Sequence, residues 1–294
     1  CLPYMYWTPT ASHGRMGLLS LGESAITNGA VNYAVLSYTR EGGKKFEGHV
    51  NYTTNIFNLQ RFDMNVAGPI KNGWSYSLGA YVNLDPGSNK LADTHYANDM
   101  KILKAGLTKE FKDNRGKMSI FYKYAYTKSM TDNYGPFIYV GDGSVKEYDG
   151  FSLGHDGFLP QNGNITYKDV MTGQTKTYNR SDGIHALNND LVFNLNYKLN
   201  NGMIFDLRSK YRYANSYYST LALAGTGTAT ATSGYTYAYD NGTHSAGDVY
   251  TGYINNRYLL RDLGFERDWL TTAELKGSSN NQKHNWRLGF NFWW

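Results

Sequence analysis

The feature that most constrains this sequence is a two-residue alternation of polarity, which returns in nine stretches after Lys45. In the stretch that begins at Trp74, large apolar residues at every second position alternate with Ser, Gly, Tyr and Asn. The nine stretches begin at or near Phe46, Arg61, Trp74, Leu103, Met118, Leu191, Met203, Trp269 and Trp286. Because this period places apolar side chains on one face of a strand and polar ones on the other, it predicts an all-β chain.

Strand length and loop order favour a membrane barrel over a soluble sandwich. Most stretches run for about 9 to 13 residues, which crosses a bilayer at a barrel's tilt, whereas soluble strands typically have about 5 or 6 residues. Short turns such as residues 68–73 and 200–202 alternate with long connections at residues 85–99, 129–187 and 215–268. Outer-membrane barrels have this order, with short turns in the periplasm and long loops outside. We therefore predict an antiparallel transmembrane outer-membrane β-barrel.

Composition agrees with a barrel and argues against other classes. Aromatic residues make up 16% of the chain and charged residues only 18%, and mean hydropathy is −0.55. No apolar run approaches the roughly 18 residues that a spanning helix needs. The net charge of +5 is spread along the chain and does not indicate nucleic-acid binding. The one cysteine, Cys1, allows no internal disulfide; it indicates either a lipidated N-terminus or an arbitrary start of the chain.

Residues 1–43 lack the alternation, but their last part carries a distinctive motif. Its residues are Gly29, Val31, Asn32, Tyr33, Arg40, Gly42 and Gly43. This motif resembles the junction between plug and barrel in TonB-dependent outer-membrane receptors. The resemblance continues through "NLQRFDMNVAGPIKNGWSYSLGAYVN", and the final "HNWRLGFNFWW" resembles an internal barrel strand of receptors of the Bacteroidetes type.

The resemblance implies a division of the chain into two parts. Residues 1–43 would be the C-terminal part of a plug domain, and residues 44–294 the N-terminal part of the barrel, with about nine strands and long extracellular loops. In this family the plug fills a barrel of about 22 strands. Strand parity independently predicts a fragment, because complete bacterial barrels have an even number of strands and nine would leave open edges in lipid.

The function that the resemblance implies is import of a scarce nutrient across the outer membrane. The ligand would be a siderophore, a corrinoid, a glycan or a peptide, and neither an enzyme activity nor a cofactor is expected. The implied partners are outer-membrane lipid, the imported ligand, the energy-transducing TonB protein of the inner membrane and a surface lipoprotein. Polar residues of two strands are expected to line the lumen or to contact the plug: Asn194, Asn196, Asp206, Arg208, Lys210 and Arg212.

The residues themselves leave two alternatives open. One is a small outer-membrane barrel that acts as a porin or adhesin, and the other is a soluble all-β carbohydrate-binding protein. The seven histidines are scattered without metal-ligand spacing, so no catalytic or metal site is predicted. Four loop carboxylates lie close enough in sequence for a bound calcium ion: Asp142, Glu147, Asp149 and Asp156.

Overall fold

The computed structural model describes residues 10–18, 35–88, 96–130, 137–147, 152, 155, 163–179, 183–229, 236–239, 245–279 and 283–294. Its strands are β1 (His13–Leu18), β2 (Val35–Thr39), β3 (Glu47–Thr54), β4 (Gln60–Pro69), β5 (Trp74–Asp85), β6 (Asn98–Glu110), β7 (Gly116–Ser129), β8 (Ile138–Tyr139), β9 (Val145–Lys146), β10 (Asn164–Lys168), β11 (Thr175–Asn179), β12 (Ile184–Lys198), β13 (Ile204–Thr228), β14 (Tyr253–Ser278) and β15 (Asn285–Trp293). Within these residues, no helix is long and apolar enough to cross a membrane.

Nine of the strands form one antiparallel sheet in the order β15-β14-β13-β12-β7-β6-β5-β4-β3. Each strand pairs with the next large strand along the chain, so the sheet is a meander, as the sequence predicts. The other strands form three separate two-stranded hairpins: β1 with β2, β8 with β9, and β10 with β11. In the described residues, β3 and β15 each pair on one side only, so the nine-stranded sheet has two edges.

The polarity of the sheet is reversed relative to a soluble protein, as strand β6 illustrates. Leu103 is 50% exposed, whereas its neighbour Lys104 is only 8% exposed. The face of the sheet that carries Leu103 is called the outer face, and the face that carries Lys104 the inner face. Exposed apolar residues of the outer face include Phe62, Leu78, Leu103, Leu107, Ile120, Leu191 and Phe290. Buried polar residues of the inner face include Asn65, Ser77, Lys104, Thr108, Ser119, Asn188 and Asp190. This arrangement fits a sheet whose outer face contacts lipid.

Positive backbone φ angles confirm the predicted short turns. Asn72 and Gly73 have φ values of 56° and 75° between β4 and β5, and Gly202 has a φ of 82° between β12 and β13. The turn between β6 and β7 contains a 3-10 turn at Lys112–Asn114, followed by Gly116 with a φ of 120°. Asn and Gly adopt these angles at low cost, which is why such residues mark the hairpins.

Two strands are much longer than the alternation predicts. Strand β13 has 25 residues and β14 has 26, and their paired region extends to Thr228 opposite Tyr253. Much of the stretch predicted as a loop at residues 215–268 is therefore a two-stranded ribbon, and β12 begins inside the stretch predicted as a loop at residues 129–187. A strand of 25 residues spans about 80 Å at roughly 3.3 Å per residue. Pairing of β13 with β14 therefore continues well past the stretch in which the apolar alternation is regular.

Candidate functional site

The N-terminal hairpin, formed by β1, β2 and their flanking residues, lies against the inner face of the sheet. The backbone N–H of Ala11 donates to both carboxylate oxygens of Asp63, at 2.9 and 2.8 Å. The Ser75 hydroxyl donates to the carbonyl oxygen of Gly42 at 2.9 Å. Glu41 forms an ion pair with Lys117. These contacts connect residues on both sides of the hairpin to strands β4, β5 and β7.

Two glycines allow the close approach of the hairpin to the sheet. A Cβ atom on Gly42 would lie 2.3 Å from the carbonyl oxygen of Tyr76, closer than any real contact. A Cβ atom on Gly79 would lie 2.5 Å from the Cβ of Ser12. Gly43, by contrast, has no atom within 4 Å of the position of a Cβ. Gly42 therefore has a steric role at this contact, and Gly43 does not.

The structure describes only part of the predicted junction motif. Arg40, Gly42 and Gly43 lie in the described residues, and the backbone N–H of Arg40 donates to the carbonyl oxygen of Ser12 at 2.7 Å. The remaining four residues of the motif lie outside the described residues: Gly29, Val31, Asn32 and Tyr33. The motif as a whole stays a prediction.

Gly42→Val should weaken the contact between hairpin and sheet. Because the added side chain overlaps the Tyr76 backbone, we expect a cost of about 1 to 3 kcal/mol. Trypsin should then cleave the purified protein near Arg40 about fivefold faster or more, as measured by mass spectrometry of the released fragments. Gly43→Val is the matched control and should leave the cleavage rate unchanged, because its side chain enters open space. Equal acceleration by both variants would contradict the role of Gly42.

A polar cleft of about 390 Å³ separates the hairpin from strands β7, β12 and β13. Its polar lining includes Glu41, Lys117, Asn194, Asn196, Asp206 and Arg208. Asn196 donates to the Asp206 carboxylate at 2.7 Å, and Asn194 donates to the Ser119 hydroxyl at 3.4 Å. The cleft has a volume at the low end of known small-molecule sites. Four of these lining residues, Asn194, Asn196, Asp206 and Arg208, were predicted to face the lumen or the plug. In the structure they line the cleft on the side facing the hairpin.

A row of charged residues crosses the inner face next to the hairpin. Backbone register places Lys104 opposite Lys123, Lys123 opposite Asp190, and Asp190 opposite Arg212. The Asp190 side chain is 6% exposed, and its carboxylate lies 3.0 Å from Arg212 Nε and 3.4 Å from Lys210 Nζ. Arg212 also lies 3.4 Å from Glu266. One buried carboxylate is thus shared by several cations. Lys210 and Arg212 were predicted to face inward, and they do.

The loop hairpins contain carboxylates that are already bonded within the chain. The Lys176 ammonium, followed by the backbone N–H of Thr172, lowers the pKa of Asp169 to about 2. Hydrogen bonds from Ser144 lower the pKa of Asp142. Of the predicted calcium ligands, Asp149 and Asp156 lie outside the described residues. Among the residues that are described, no three His, Cys, Asp or Glu side chains group in a way that would hold a metal ion.

The sequence alone did not single out Ser12, Asp63, Lys104, Lys123 or Asp190. One signal for the two lysines was present, however. The short turn between β6 and β7 sets the register of the pair, so counting outward from it places Lys104 opposite Lys123. Contacts of the N-terminal hairpin have no such local marker, because they join residues about 50 positions apart.

No family model matches the chain, and no curated protein matches its sequence significantly. The structure is similar to that of the pyoverdine outer membrane receptor FpvA from Pseudomonas aeruginosa PAO1, solved with pyoverdine bound, with a TM-score of 0.54 and 11% sequence identity. The match covers 96% of this chain and 35% of the receptor, so the chain spans about a third of that receptor's length. At this identity the likeness concerns the fold alone: the chain has the all-β, antiparallel fold of part of an outer-membrane receptor barrel.

Proposed function

We propose that this chain is part of a TonB-dependent outer-membrane receptor that binds and imports a scarce nutrient. The observation that carries the proposal is the sheet with an apolar outer face and a polar inner face, against which the N-terminal hairpin lies. A lipid-facing barrel explains the outer face. A segment that occupies the interior explains the contacts of the hairpin with Asp63, Ser75 and Lys117.

In this proposal residues 1–43 are the end of the plug and residues 44–294 are the first part of the barrel. The protein lies in the bacterial outer membrane, where its outer face contacts lipid. Transport consists of binding and release and involves no covalent chemistry. The similar receptor FpvA binds pyoverdine, which supports a small-molecule ligand; a siderophore, a corrinoid, a glycan and a peptide are the candidates.

The proposed partners supply energy and capture ligand. An inner-membrane TonB protein would act on the plug, as the resemblance of the junction motif implies. A surface lipoprotein would belong to a receptor of the Bacteroidetes type. The type assignment rests on the sequence resemblance alone. The fragment interpretation rests on that resemblance and on the odd number of strands in the sheet formed by the described residues.

The two alternatives each leave one observation unexplained. A porin or adhesin barrel needs no N-terminal segment bonded to its inner face, yet Ala11 and Gly42 make such bonds. A soluble carbohydrate-binding protein would leave a broad apolar face in water, with side chains such as Leu288 and Phe290 more than 60% exposed. The receptor proposal accounts for both features.

An uptake experiment in cells tests the proposal. Cells that lack the gene should lose accumulation of one ligand class among a ferric chelate, a corrinoid, an oligosaccharide and a peptide, each radiolabelled. Restoring the gene should restore uptake. A protonophore, which dissipates the energy of the inner membrane, should abolish the same uptake in the restored cells.

The outcomes separate the receptor from both alternatives. Uptake that persists after the protonophore would indicate a porin. Recovery of the folded protein in the soluble fraction, without detergent, would exclude either membrane function. Loss of no ligand class on deletion would contradict the receptor proposal.

A further inference from the structure

Three short turns lie side by side at one end of the nine-stranded sheet. The turn between β4 and β5 is joined to the end of β6 by the backbone N–H of Glu110, which donates to the carbonyl oxygen of Gly73 at 2.8 Å. The turn between β6 and β7 is joined to the end of β12 by the backbone N–H of Lys198, which donates to the carbonyl oxygen of Arg115 at 2.7 Å. Together the turns form a continuous short-turn rim, which consists of residues 70–73, 110–116 and 198–203.

Cations outnumber acids on the short-turn rim. Its charged residues, all exposed, are four cations and two acids: Lys71, Lys112, Arg115 and Lys198, with Glu110 and Asp113. Within the part of the chain that the structure describes, none of the four cations forms an ion pair with a carboxylate. At the opposite end of β6, by contrast, the exposed Lys101 is paired with Asp99 at 2.9 Å. The rim therefore presents an excess of positive charge to its surroundings.

Aromatic side chains border the rim where the outer face ends. Trp74 lies opposite Lys109, and Lys109 Nζ lies 5.6 Å from the centre of the Trp74 ring. Phe111 packs edge-on against Tyr197 with ring centres 5.3 Å apart, and Arg115 donates to the Tyr197 hydroxyl at 3.4 Å. Trp and Tyr concentrate at the depth where a membrane meets water. The exposed cations of the rim therefore lie next to the depth of the lipid headgroups.

We propose that the short-turn rim binds anionic phospholipid headgroups of the periplasmic leaflet, such as phosphatidylglycerol. The inference rests on the proposed function in that the short turns of an outer-membrane barrel face the periplasm. Each Lys or Arg near an anionic membrane surface strengthens binding by about fivefold. A soluble acidic partner would also be attracted by the cations. It would not account for the rings of Trp74 and Phe111 beside them, however, which suit a lipid that offers acyl chains below its phosphate.

The experiment is native mass spectrometry of the purified protein in detergent, titrated with phosphatidylglycerol or with phosphatidylcholine of the same acyl chains. The wild type should bind phosphatidylglycerol about tenfold more tightly. The double variant Lys71→Gln, Lys112→Gln should bind it about tenfold more weakly than the wild type, because it loses two exposed charges. The double variant Lys146→Gln, Lys168→Gln is the matched control: it removes two exposed charges from the hairpins outside the nine-stranded sheet and should bind like the wild type.

Two further measurements keep the test decisive if the glutamine variant does not fold. The variant Lys71→Arg, Lys112→Arg retains both charges and should still prefer phosphatidylglycerol. In the wild type, phosphatidylglycerol should slow acylation of Lys71 and Lys112 but not of Lys146, as measured by mass spectrometry of the digested protein. Equal binding of the two lipids by the wild type, or an equal effect of the two glutamine variants, would overturn the inference.

A soluble polyanion distinguishes the other kind of partner. If Lys71→Gln, Lys112→Gln lost binding of polyglutamate but kept that of phosphatidylglycerol, the rim would bind a soluble acidic partner and the inference would be overturned. Energy-dependent uptake by cells, without any lipid preference of the purified protein, would overturn only this inference and leave the proposed receptor function standing. Recovery of the folded protein without detergent would overturn both.

Discussion

Leu103→Arg should destabilise the folded protein in lipid vesicles by about 1 to 3 kcal/mol, although the side chain is half exposed. Leu103 lies on the outer face of β6, between Lys101 and Lys109, which lie on the same face. These lysines flank the apolar residues Leu103, Ala105 and Leu107 of that strand, so Leu103 should lie inside the bilayer, on the Lys101 side of its middle. An arginine at this depth loses water without gaining a partner. Equilibrium unfolding in urea, followed by the fluorescence of the six tryptophans, measures the change.

The matched control for this prediction is Val170→Arg. Val170 is 95% exposed and follows β10, in the connection to β11, outside the nine-stranded sheet. Its substitution should change the free energy of unfolding by less than about 0.5 kcal/mol. If both arginines were tolerated equally, the outer face would contact water, and the soluble alternative would gain support. The contrast therefore tests what surrounds the outer face, independently of any ligand.

The strands of the sheet could be predicted because a regular alternation of apolar and polar residues marks them. Every second residue along such a strand lies on the outer face and is apolar there, as Leu103, Ala105 and Leu107 of β6 illustrate. The hairpin turns were equally predictable, since Gly73 and Gly202 adopt positive φ angles that few residues tolerate. The order of the sheet then follows, because antiparallel neighbours joined by short turns pair with each other.

The length of β13 and the inner-face contacts could not be predicted in this way. Residues 215–228 are rich in Ser, Thr, Ala and Gly and did not indicate a strand, yet they pair with β14 as far as Thr228 opposite Tyr253. On the inner face many side chains are polar, and the pattern does not distinguish a solvated residue from Asn188, which is fully buried. The packing of Ser12 on Gly79 depends on a distant segment that no local signal identifies.

Asp190→Asn should have an effect of similar size, through the opposite face of the sheet. The Asp190 side chain is 6% exposed and its carboxylate is shared by Arg212 and Lys210, with Lys123 opposite it across the strand pair. The amide keeps the shape but removes the negative charge that Arg212 and Lys210 contact. We expect a loss of about 3 kcal/mol in the free energy of unfolding, because removing one partner of a buried ion pair leaves the others uncompensated. Urea unfolding in the same vesicles measures it.

Two comparisons assign this loss to charge rather than to the substitution itself. Asp142→Asn removes a carboxylate from the exposed turn between β8 and β9 and should be nearly neutral. Adding Lys123→Gln to Asp190→Asn should restore part of the lost stability, because it removes one of the uncompensated cations. A double-mutant cycle then gives the coupling between the two residues. If the effects of the two substitutions on the free energy of unfolding were simply additive, Lys123 would not depend on Asp190 for its counter-charge. The inner face would then consist of independent, solvated side chains and not of one charged network.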